Sequence, residues 1–422
     1  MEQTQIVIIG AGFAGINAAK TLAQDRGLRG KLHITLIDRR NYHLFQPLLY
    51  QVATAGLSPA DIAMPIRSIF SNYSNVTVYL GNIVSIDLKT KILHGQEKHL
   101  SYDYLIVACG AKHSYFNKPE WEEFAPGLKT LEQATEIRRR ILLAFEEAEK
   151  ETDIEKQKEL LTFVIVGGGP TGVELAGAIA EISRYTLEKD FRNIDPARTR
   201  VILIEAGNRV LSAFSEKLSK HAARDLEQLG VQIWTSSRVS KVNEASVELG
   251  NETIRAKTIL WAAGVLPSSL GKTLGTPLDS QGRVIVERDL SLPNHHNVFV
   301  LGDQAHFAEN GSPLPGLAPV AIQQGKHAAK NIIRKINAQE TTAFKYVDKG
   351  IMATIGRKKA VLQYNSLQFG GFFAWMAWLF IHIYYLIGFK NRFIVFFQWA
   401  WSYITLKRGA RLIVNKEWRS TK

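Results

Sequence analysis

Residues 5–38 constrain the fold more than any other stretch of this 422-residue chain. An apolar run at residues 6–9 leads directly into a glycine-rich loop at residues 10–15, here called the first loop. An alanine-rich helical pattern follows at residues 16–23, and a second apolar run ends at Asp38. This order predicts a strand, a phosphate-binding loop, a helix and a second strand that carries a carboxylate.

Each glycine of the first loop has a predicted task. Gly10 permits the tight turn, Gly12 lets the backbone approach a pyrophosphate, and Gly15 lets the helix pack closely on the strand. Unpaired N–H groups at the helix N-terminus attract the anion. Because Asp38 can accept hydrogen bonds from a ribose, we expect a dinucleotide at this loop.

The same plan begins again at residue 161. It comprises an apolar run at residues 162–166, a second loop at residues 167–172 with Gly167, Gly169 and Gly172, a helical pattern at residues 173–185, and a run at residues 201–204 that ends at Glu205. Later apolar runs at residues 231–234 and 258–264 match those at residues 76–79 and 105–110. Such a repeat indicates two cofactors or one degenerate copy, and the retention of all glycines and both acids favours two occupied sites.

The acids and a late glycine–aspartate pair distinguish the two ligands. Glu205 would repel a 2′-phosphate, which favours NAD over NADP, although the neighbouring Arg209 weakens that preference. Gly302 and Asp303 follow a predicted strand at residues 298–301, where a carboxylate can bond the ribityl or pyrophosphate part of an FAD. We therefore assign FAD to the first loop and NADH to the second.

Composition excludes several other chemistries. Cys109 is the single cysteine, so neither an internal disulfide nor a redox-active thiol pair can form, which fits a reducing compartment. The apolar run at residues 6–9 is too short for a signal peptide, and we expect the N-terminus to belong to the fold. No metal site is predicted.

The C-terminal region combines aromatic and basic residues. Residues 369–389 contain no charged residue except His382 and are long enough to span a bilayer, whereas residues 393–406 are too short. Aromatic residues are spread along both segments, which predicts two helices lying in the membrane interface; an inserted hairpin or span and an ordinary core or dimer contact remain alternatives. Residues 390–422 contain eight basic residues and one acid, and the apolar content before them favours anionic lipid over nucleic acid.

The full set of motifs resembles the two-dinucleotide-binding flavoprotein reductases and, more narrowly, the type II NADH:quinone oxidoreductases. Residues 41–53, 167–177 and 318–325 carry the narrower resemblance, and residues 386–392 are also similar to this family. The resemblance implies an α/β fold of two interleaved Rossmann-like dinucleotide-binding domains with a C-terminal amphipathic helical membrane-binding module. The implied division is residues 1–125 and 271–343 for FAD, 126–270 for NADH and 344–422 for the membrane.

The family implies that NADH reduces FAD and that a membrane quinone then accepts two electrons without proton pumping. By analogy Glu174 lies where the nicotinamide, flavin and quinone pockets meet, and Gln323 matches the second glutamine of an Ala-Gln-x-x-x-Gln quinone motif. Pro319 replaces the first glutamine, so that contact is absent. The expected cofactor-binding residues are Gly10, Gly12, Phe13, Ala14, Gly15, Asp38, Arg39, Gln46, Ile83, Ala108, Gly110, Gly167, Gly169, Pro170, Thr171, Gly172, Glu205, Gly264, Gly302 and Asp303.

Several expectations complete this interpretation. We expect a peripheral, monotopic protein on the cytoplasmic face of the inner membrane, with a homodimer left open. Residues 60–70, 130–159 and 320–336 are each predicted to form one helix. The alternatives are a flavin reductase with a soluble acceptor, ferredoxin or oxygen, and a non-enzymatic signalling protein that binds FAD and NADH.

Overall fold

The chain divides into two compact units in the computed structural model, which describes residues 3–187, 190–309, 311–405 and 408–414. The first unit contains Met1–Leu44, Ala63–Lys112 and Val265–Lys349, and the second contains Phe45–Ile62, His113–Gly264 and Gly350–Lys422. The boundary expected at residues 125 and 126 therefore falls inside the second unit. The C-terminal segment belongs to that same unit.

A six-stranded sheet forms the centre of the first unit. Its order is Ser291–Leu292, His295–Val300, Tyr104–Val107, Thr4–Ile9, Leu32–Asp38 and Val76–Leu80. All neighbours pair in parallel except the short edge strand Ser291–Leu292. In the strand Thr4–Ile9, residues 6–9 are apolar and buried, as expected for a parallel sheet that is covered on both faces.

Helices and small sheets complete the first unit. The helices are Phe13–Ala23, which we call the first-loop helix, Ile66–Phe70 and Ala318–Ile336. An antiparallel sheet contains Ile83–Asp87, Ile92–Gly95 and His99–Ser101, and strand pairs join Tyr42–Leu44 to Ala63–Pro65, Val284–Ile285 to Ala305–His306 and Ala308–Glu309 to Ser312–Pro313. The helix Ala318–Ile336 packs closely on the first-loop helix, because a Cβ atom on Gly325 would lie 2.2 Å from the Ala14 carbonyl oxygen.

The second unit repeats the sheet order of the first. Its parallel strands run Val231–Trp234, Arg200–Ile204, Thr162–Val166 and Thr258–Trp261. These occupy the positions of Val76–Leu80, Leu32–Asp38, Thr4–Ile9 and Tyr104–Val107 in the first sheet. The predicted repeat and the α/β fold class are thus confirmed.

Two antiparallel sheets and a set of helices surround this second parallel sheet. The antiparallel sheets are Lys241–Asn243, Ser246–Leu249 and Glu252–Arg255, and the C-terminal sheet Ile351–Gly356, Lys359–Tyr364 and Leu367–Gly370. The helices are Leu49–Ala53, Pro59–Ile62, Trp121–Phe124, Leu131–Lys150, Ile154–Leu160, Pro170–Glu181 (the second-loop helix), Glu216–Gln228, Phe372–Tyr385 and Phe389–Thr405.

Two predictions of single helices were wrong. Residues 130–159 form two helices because Asp153 starts the second one, its carboxylate accepting the N–H groups of Glu155 and Lys156 at 2.9 and 3.3 Å. Residues 60–70 are interrupted by the strand Ala63–Pro65, since Pro65 disfavours helical geometry at the preceding residue. The helix expected at residues 173–185 is α-helical only to Glu181 and continues as a π-helical turn at Ile182–Thr186.

The second-loop helix packs with very little clearance on the C-terminal sheet. A Cβ atom on Gly177 would lie only 1.6 Å from the carbonyl oxygen of Ile355, so only glycine permits this contact. The same sheet supports the helix Phe372–Tyr385, because Ala374 and Trp375 pack with Ala360 and Leu362 in one apolar cluster. The sheet therefore has the second-loop helix and the helix Phe372–Tyr385 as direct neighbours.

The two C-terminal helices expose aromatic side chains on the face away from this cluster. Phe373 is 77% exposed and Tyr384 71% exposed, and Phe380, Phe396, Phe397 and Trp401 are exposed as well. Among the described residues, no helix combines the length and the apolar character needed to cross a membrane. Of the eight basic residues noted above, Lys407, Lys416, Arg419 and Lys422 lie outside the described residues.

Candidate active site

Asp38 fixes the backbone of the first loop through both of its carboxylate oxygens. Oδ2 accepts the N–H group of Ala11 at 2.7 Å, and Oδ1 accepts the N–H group of Arg40 at 2.8 Å. A carboxylate offers about four lone-pair positions, so these two bonds leave room for a ligand hydroxyl. The strand end and the loop are thus held together by the residue that is expected to bind ribose.

The three glycines of the first loop differ in what surrounds them. A Cβ atom on Gly10, whose φ is +100°, would lie 2.3 Å from the carbonyl oxygen of Ala108, and one on Gly15 would lie 1.8 Å from that of Gly10. By contrast, no protein atom lies within 4 Å of the Cβ position of Gly12. The first-loop helix starts at Phe13 without a side-chain cap, so its first N–H groups point towards this open space.

The second loop reproduces this geometry. Glu205 Oε2 accepts the N–H group of Gly168 at 2.6 Å, and Oε1 accepts that of Gly207 at 2.6 Å. A Cβ atom on Gly172 would lie 1.8 Å from the carbonyl oxygen of Gly167, whereas Gly169 has no atom within 4 Å of its Cβ position. Pro170 is the first residue of the uncapped second-loop helix, and Thr171 follows it.

Arg209 is hydrogen-bonded to the backbone of its own turn. Its guanidinium donates through Nη1 to the Phe214 carbonyl at 2.9 Å and through Nη2 to the Ser212 carbonyl at 2.8 Å. The side chain is thus hydrogen-bonded within its own turn, and its effect on the preference for NAD stays a prediction.

His43 is buried beside the first loop with an unsatisfied ring nitrogen. Its Nδ1 lies 2.8 Å from the Ala11 carbonyl oxygen, and its ring meets Phe13 edge to face at 5.3 Å between ring centroids. Because a carbonyl only accepts, Nδ1 carries the proton and Nε2 remains an acceptor, for which the described residues supply no hydrogen-bond partner. Burial lowers the pKa of His43 to about 4, so the ring is neutral at physiological pH.

The late segment of the first unit brings two buried glutamines to the Gly302–Gln304 turn. Gln324 accepts the N–H group of Gly302 at 2.7 Å, and Gln304 accepts that of Cys109 at 3.3 Å. Asp303 lies on the same turn, with Oδ1 3.1 Å from the Cβ position of Gly316. Sequence reasoning missed both glutamines, because neither stands in a motif that announces a buried contact.

The remaining predicted cofactor residues have varied surroundings. Gly110 has a φ of +65° and an open Cβ position, Arg39 is exposed beside Asp38, and Ile83 begins its strand in the first unit. Gln46 belongs to the second unit, where its amide donates to the Lys129 carbonyl at 3.4 Å. Gly264 has a φ of +73° and lies against Ser114 and Phe116.

Gln323 uses its side-chain amide within the first unit. Its Nε2 donates to the Val347 carbonyl at 2.9 Å, and its Oε1 accepts the Val347 N–H group at 3.0 Å. The paired bonds resemble one rung of a β-ladder and fix residue 347 to the helix Ala318–Ile336. Its role at an acceptor site stays a prediction.

Glu174 lines a cavity of about 460 Å³ in the second unit. The N–H group of Thr354 donates to its carboxyl, but burial has the larger effect and raises the pKa of Glu174 to about 8. The side chain is therefore mostly protonated at neutral pH. The other ionisable side chains among the described residues that line the cavity are Tyr50, Glu181, Tyr185, Arg357, Lys359 and Arg408.

The far wall of this cavity comes from the last C-terminal helix. Trp399 donates through Nε1 to the Gln51 side-chain oxygen at 2.7 Å, and its ring lies 5.4 Å from that of Trp378. Tyr50 meets Trp378 edge to face at 6.4 Å. Gln51 and Trp399 are 348 positions apart in sequence, so no local pattern could have predicted their contact.

The chain is similar in sequence to known families and proteins along nearly its whole length. Residues 4–325 match the pyridine nucleotide-disulphide oxidoreductase family, and residues 349–406 match the NDH2 C-terminal domain. The chain is 44% identical to the type II NADH:quinone oxidoreductase Ndh of Mycobacterium tuberculosis, over 98% of this chain and 91% of that protein. The corresponding values for NdhA of the same organism are 43%, 98% and 90%.

The fold also has a solved counterpart. The structure of NDH2 from Plasmodium falciparum in complex with NADH has a TM-score of 0.88 and 20% sequence identity, covering 98% of this chain and 100% of that chain.

Proposed function

The chain belongs to the type II NADH:quinone oxidoreductases, and on that premise we propose which of its residues carry out the oxidation of NADH by a membrane quinone. FAD, when bound, supplies the redox chemistry by taking two electrons as hydride from NADH and passing them to the quinone. The observation that carries the proposal is the repeated carboxylate-and-glycine geometry at Asp38 and Glu205. Two equivalent cradles fit an enzyme that uses two dinucleotides.

The first loop holds FAD in this proposal. The open space at Gly12 and the uncapped first-loop helix suit a pyrophosphate. The unsatisfied Nε2 of His43 suits a hydroxyl donor of the same cofactor, because a buried acceptor without a partner is costly. Asp38 then keeps two lone-pair positions for ribose.

The second loop binds NADH rather than NADPH. The Glu205 carboxylate would repel a 2′-phosphate, while it can accept hydrogen bonds from free ribose hydroxyls. Arg209, the cation that could favour a 2′-phosphate, donates to two backbone carbonyl oxygens instead. We therefore expect a strong preference for NADH.

Glu174 supplies a proton at the cavity. Reduction of a quinone to a quinol takes up two electrons and two protons. The hydride of NADH accounts for both electrons and one proton, and we assign the other proton to an acid at the acceptor site that is protonated at neutral pH. A carboxyl with a pKa of about 8 meets that need. The cavity volume of about 460 Å³ lies in the range of small-molecule sites, and the aromatic wall at Tyr50 and Trp399 suits a flat ring.

The exposed aromatic face of the C-terminal helices attaches the protein to a membrane. An apolar face of this extent is unusual on a monomeric protein and marks an interaction surface. Lys390 is exposed in the second helix, and basic residues favour the anionic cytoplasmic leaflet. We therefore place the protein peripherally on the cytoplasmic face of the inner membrane.

Replacing Phe373, Phe380 and Tyr384 together by Ser tests this attachment without removing the apolar cluster at Trp375. We expect the variant to lose binding to phosphatidylglycerol vesicles while keeping its FAD and its melting temperature. Unchanged vesicle binding would contradict the proposal. A wild-type dimer that the substitutions dissociate, with no vesicle binding in either protein, would assign the face to a second copy of the chain instead.

Stopped-flow mixing of the purified flavoprotein tests the reaction itself. We expect NADH to bleach the flavin absorbance, a short-chain quinone to restore it, and NADPH to react far more slowly. Reoxidation by ferredoxin or oxygen as fast as by the quinone would refute the assigned acceptor. A protein that could not be reconstituted with FAD would refute the whole proposal.

A further inference from the structure

We propose that Phe116 contacts the nicotinamide half of NADH, at the carboxyl edge of the second unit's parallel sheet. The inference rests on the assignment of NADH to the second loop. It concerns a residue that no motif of the sequence singled out. Three observations carry it: the backbone conformation, the way the segment is anchored, and the strand end on which the ring lies.

Phe116 and Asn117 are consecutive residues with left-handed backbones, at φ of +49° and +64°. Asparagine adopts this conformation readily, but a bulky side chain does so rarely. Backbones held in unfavourable conformations concentrate at ligand contacts and active sites, where the surrounding structure enforces them. The left-handed backbone of Phe116 is therefore unfavourable by itself. The packing of the neighbouring residues enforces it.

Trp261 anchors the segment that carries Phe116. This tryptophan is 2% exposed, donates through Nε1 to the Ser114 carbonyl at 2.8 Å and stacks on Tyr115 at 5.2 Å between centroids. The Tyr115 hydroxyl in turn donates to the Ala125 carbonyl at 2.9 Å. Ser114 and Tyr115 are consequently buried, and the next residue is turned outwards.

Phe116 is 61% exposed, although the two residues before it are buried and held by Trp261. It touches Trp261 only edge to face, at 6.1 Å between centroids. Its Cζ atom lies 2.9 Å from the Cβ position of Gly264, so a larger residue there would push the ring away. Core packing therefore does not account for an aromatic side chain here.

The ring also lies on the relevant strand end. Gly264 follows the strand Thr258–Trp261, and the intervening Ala262 and Ala263 lie 2.7 Å from the Cβ position of Gly167 in the second loop. Glu205 ends the neighbouring strand on the opposite side of Thr162–Val166. Because Glu205 takes the adenosine ribose and the dinucleotide crosses this sheet edge, the nicotinamide half extends towards Gly264 and Phe116.

Steady-state kinetics of Phe116→Ala test the inference. We expect the KM for NADH to rise about tenfold, which corresponds to about 1.4 kcal/mol, because an aromatic contact in a ligand site contributes on that scale. The kcat at saturating NADH, the KM for the quinone and the FAD content should stay within about twofold of the wild-type values, since a ground-state contact affects substrate binding alone. Calorimetric titration with NAD⁺ should show the same loss of affinity.

Two variants act as controls. Phe116→Tyr keeps the ring and should keep the wild-type KM for NADH. Tyr364→Ala removes an aromatic residue that is 41% exposed and also precedes a left-handed asparagine, and it should leave that KM unchanged. If Phe116→Ala does not fold, Phe116→Leu carries the same test.

An unchanged KM for NADH in a folded, FAD-saturated Phe116→Ala protein would overturn the inference. So would an equal rise in the KM for NADH in the Tyr364→Ala control. Failure of the proposed function is distinct, because wild-type protein would then not oxidise NADH at all.

Discussion

Glu174 gives the proposed mechanism its most quantitative prediction. Burial raises the pKa of this carboxyl to about 8, so the acid form predominates at neutral pH and is lost as the pH rises through that value. With such a pKa, roughly nine-tenths of the molecules hold the proton at pH 7 and roughly one-tenth at about pH 9. If Glu174 supplies the proton to the quinone, the rate of flavin reoxidation should fall about ninefold between these pH values.

Replacing Glu174 by Gln keeps the size of the side chain and removes the acid. Because a positioned general acid typically contributes 10²-fold to 10⁴-fold, we expect reoxidation by the quinone to slow by at least about 10²-fold and to become independent of pH between about 7 and 9. Stopped-flow measurement of the two half-reactions separates the effects. Reduction of the flavin by NADH should show no transition near pH 8 in either protein.

Glu216→Gln is the matched control, because this glutamate is exposed and should not alter the pH profile. A wild-type reoxidation rate that is flat from about pH 7 to 9 would refute the reasoning. A transition that persists in Glu174→Gln would also refute it. The titrating group would then be another side chain of the cavity, with Glu181 the other carboxyl there, whose pKa burial also raises.

Three further outcomes are expected from substitutions in or beside the two glycine-rich loops. Gly12→Ala should lower the ratio of flavin to protein absorbance without lowering the melting temperature of the apoprotein, because its Cβ enters open space; Gly10→Ala should lower both, since its Cβ would meet Ala108. Gly169→Ala should raise the KM for NADH while FAD content stays constant. His43→Phe should weaken FAD binding at least about tenfold, because it removes both the proposed Nε2 bond to the cofactor and the Nδ1 bond to the Ala11 carbonyl; unchanged binding by titration would contradict the assignment of Nε2 to FAD.

The repeated parts of this protein could be predicted from sequence because they are local. The glycines of both loops, and the acids that end the second strands, occur at fixed spacing after apolar runs, so their geometry follows from neighbouring residues. Asp153 could have been recognised as a helix start by the same kind of rule, since aspartate there is followed by a helical pattern. The helix prediction failed because the apolar periodicity was read across the cap.

The contacts that give the site its chemistry depend on distant residues. The pKa of Glu174 depends on enclosure beside Thr354, which comes from a sheet 180 positions later in the chain. The hydrogen bonds of Arg209 depend on the conformation of a turn, so they could not be predicted from its charge alone. Gln323 carried the motif, whereas its neighbour Gln324 makes the buried contact to Gly302.

The tight contact between Gly177 and Ile355 limits how this enzyme could be changed so that it stays in solution without detergent. The second-loop helix packs tightly on the C-terminal sheet, and the helix Phe372–Tyr385 packs on the same sheet. Truncating the chain before Phe372 would expose the apolar surface of the C-terminal sheet and weaken the packing of that sheet on the second-loop helix. Replacing the exposed aromatic residues of the C-terminal helices by polar ones would leave this packing intact.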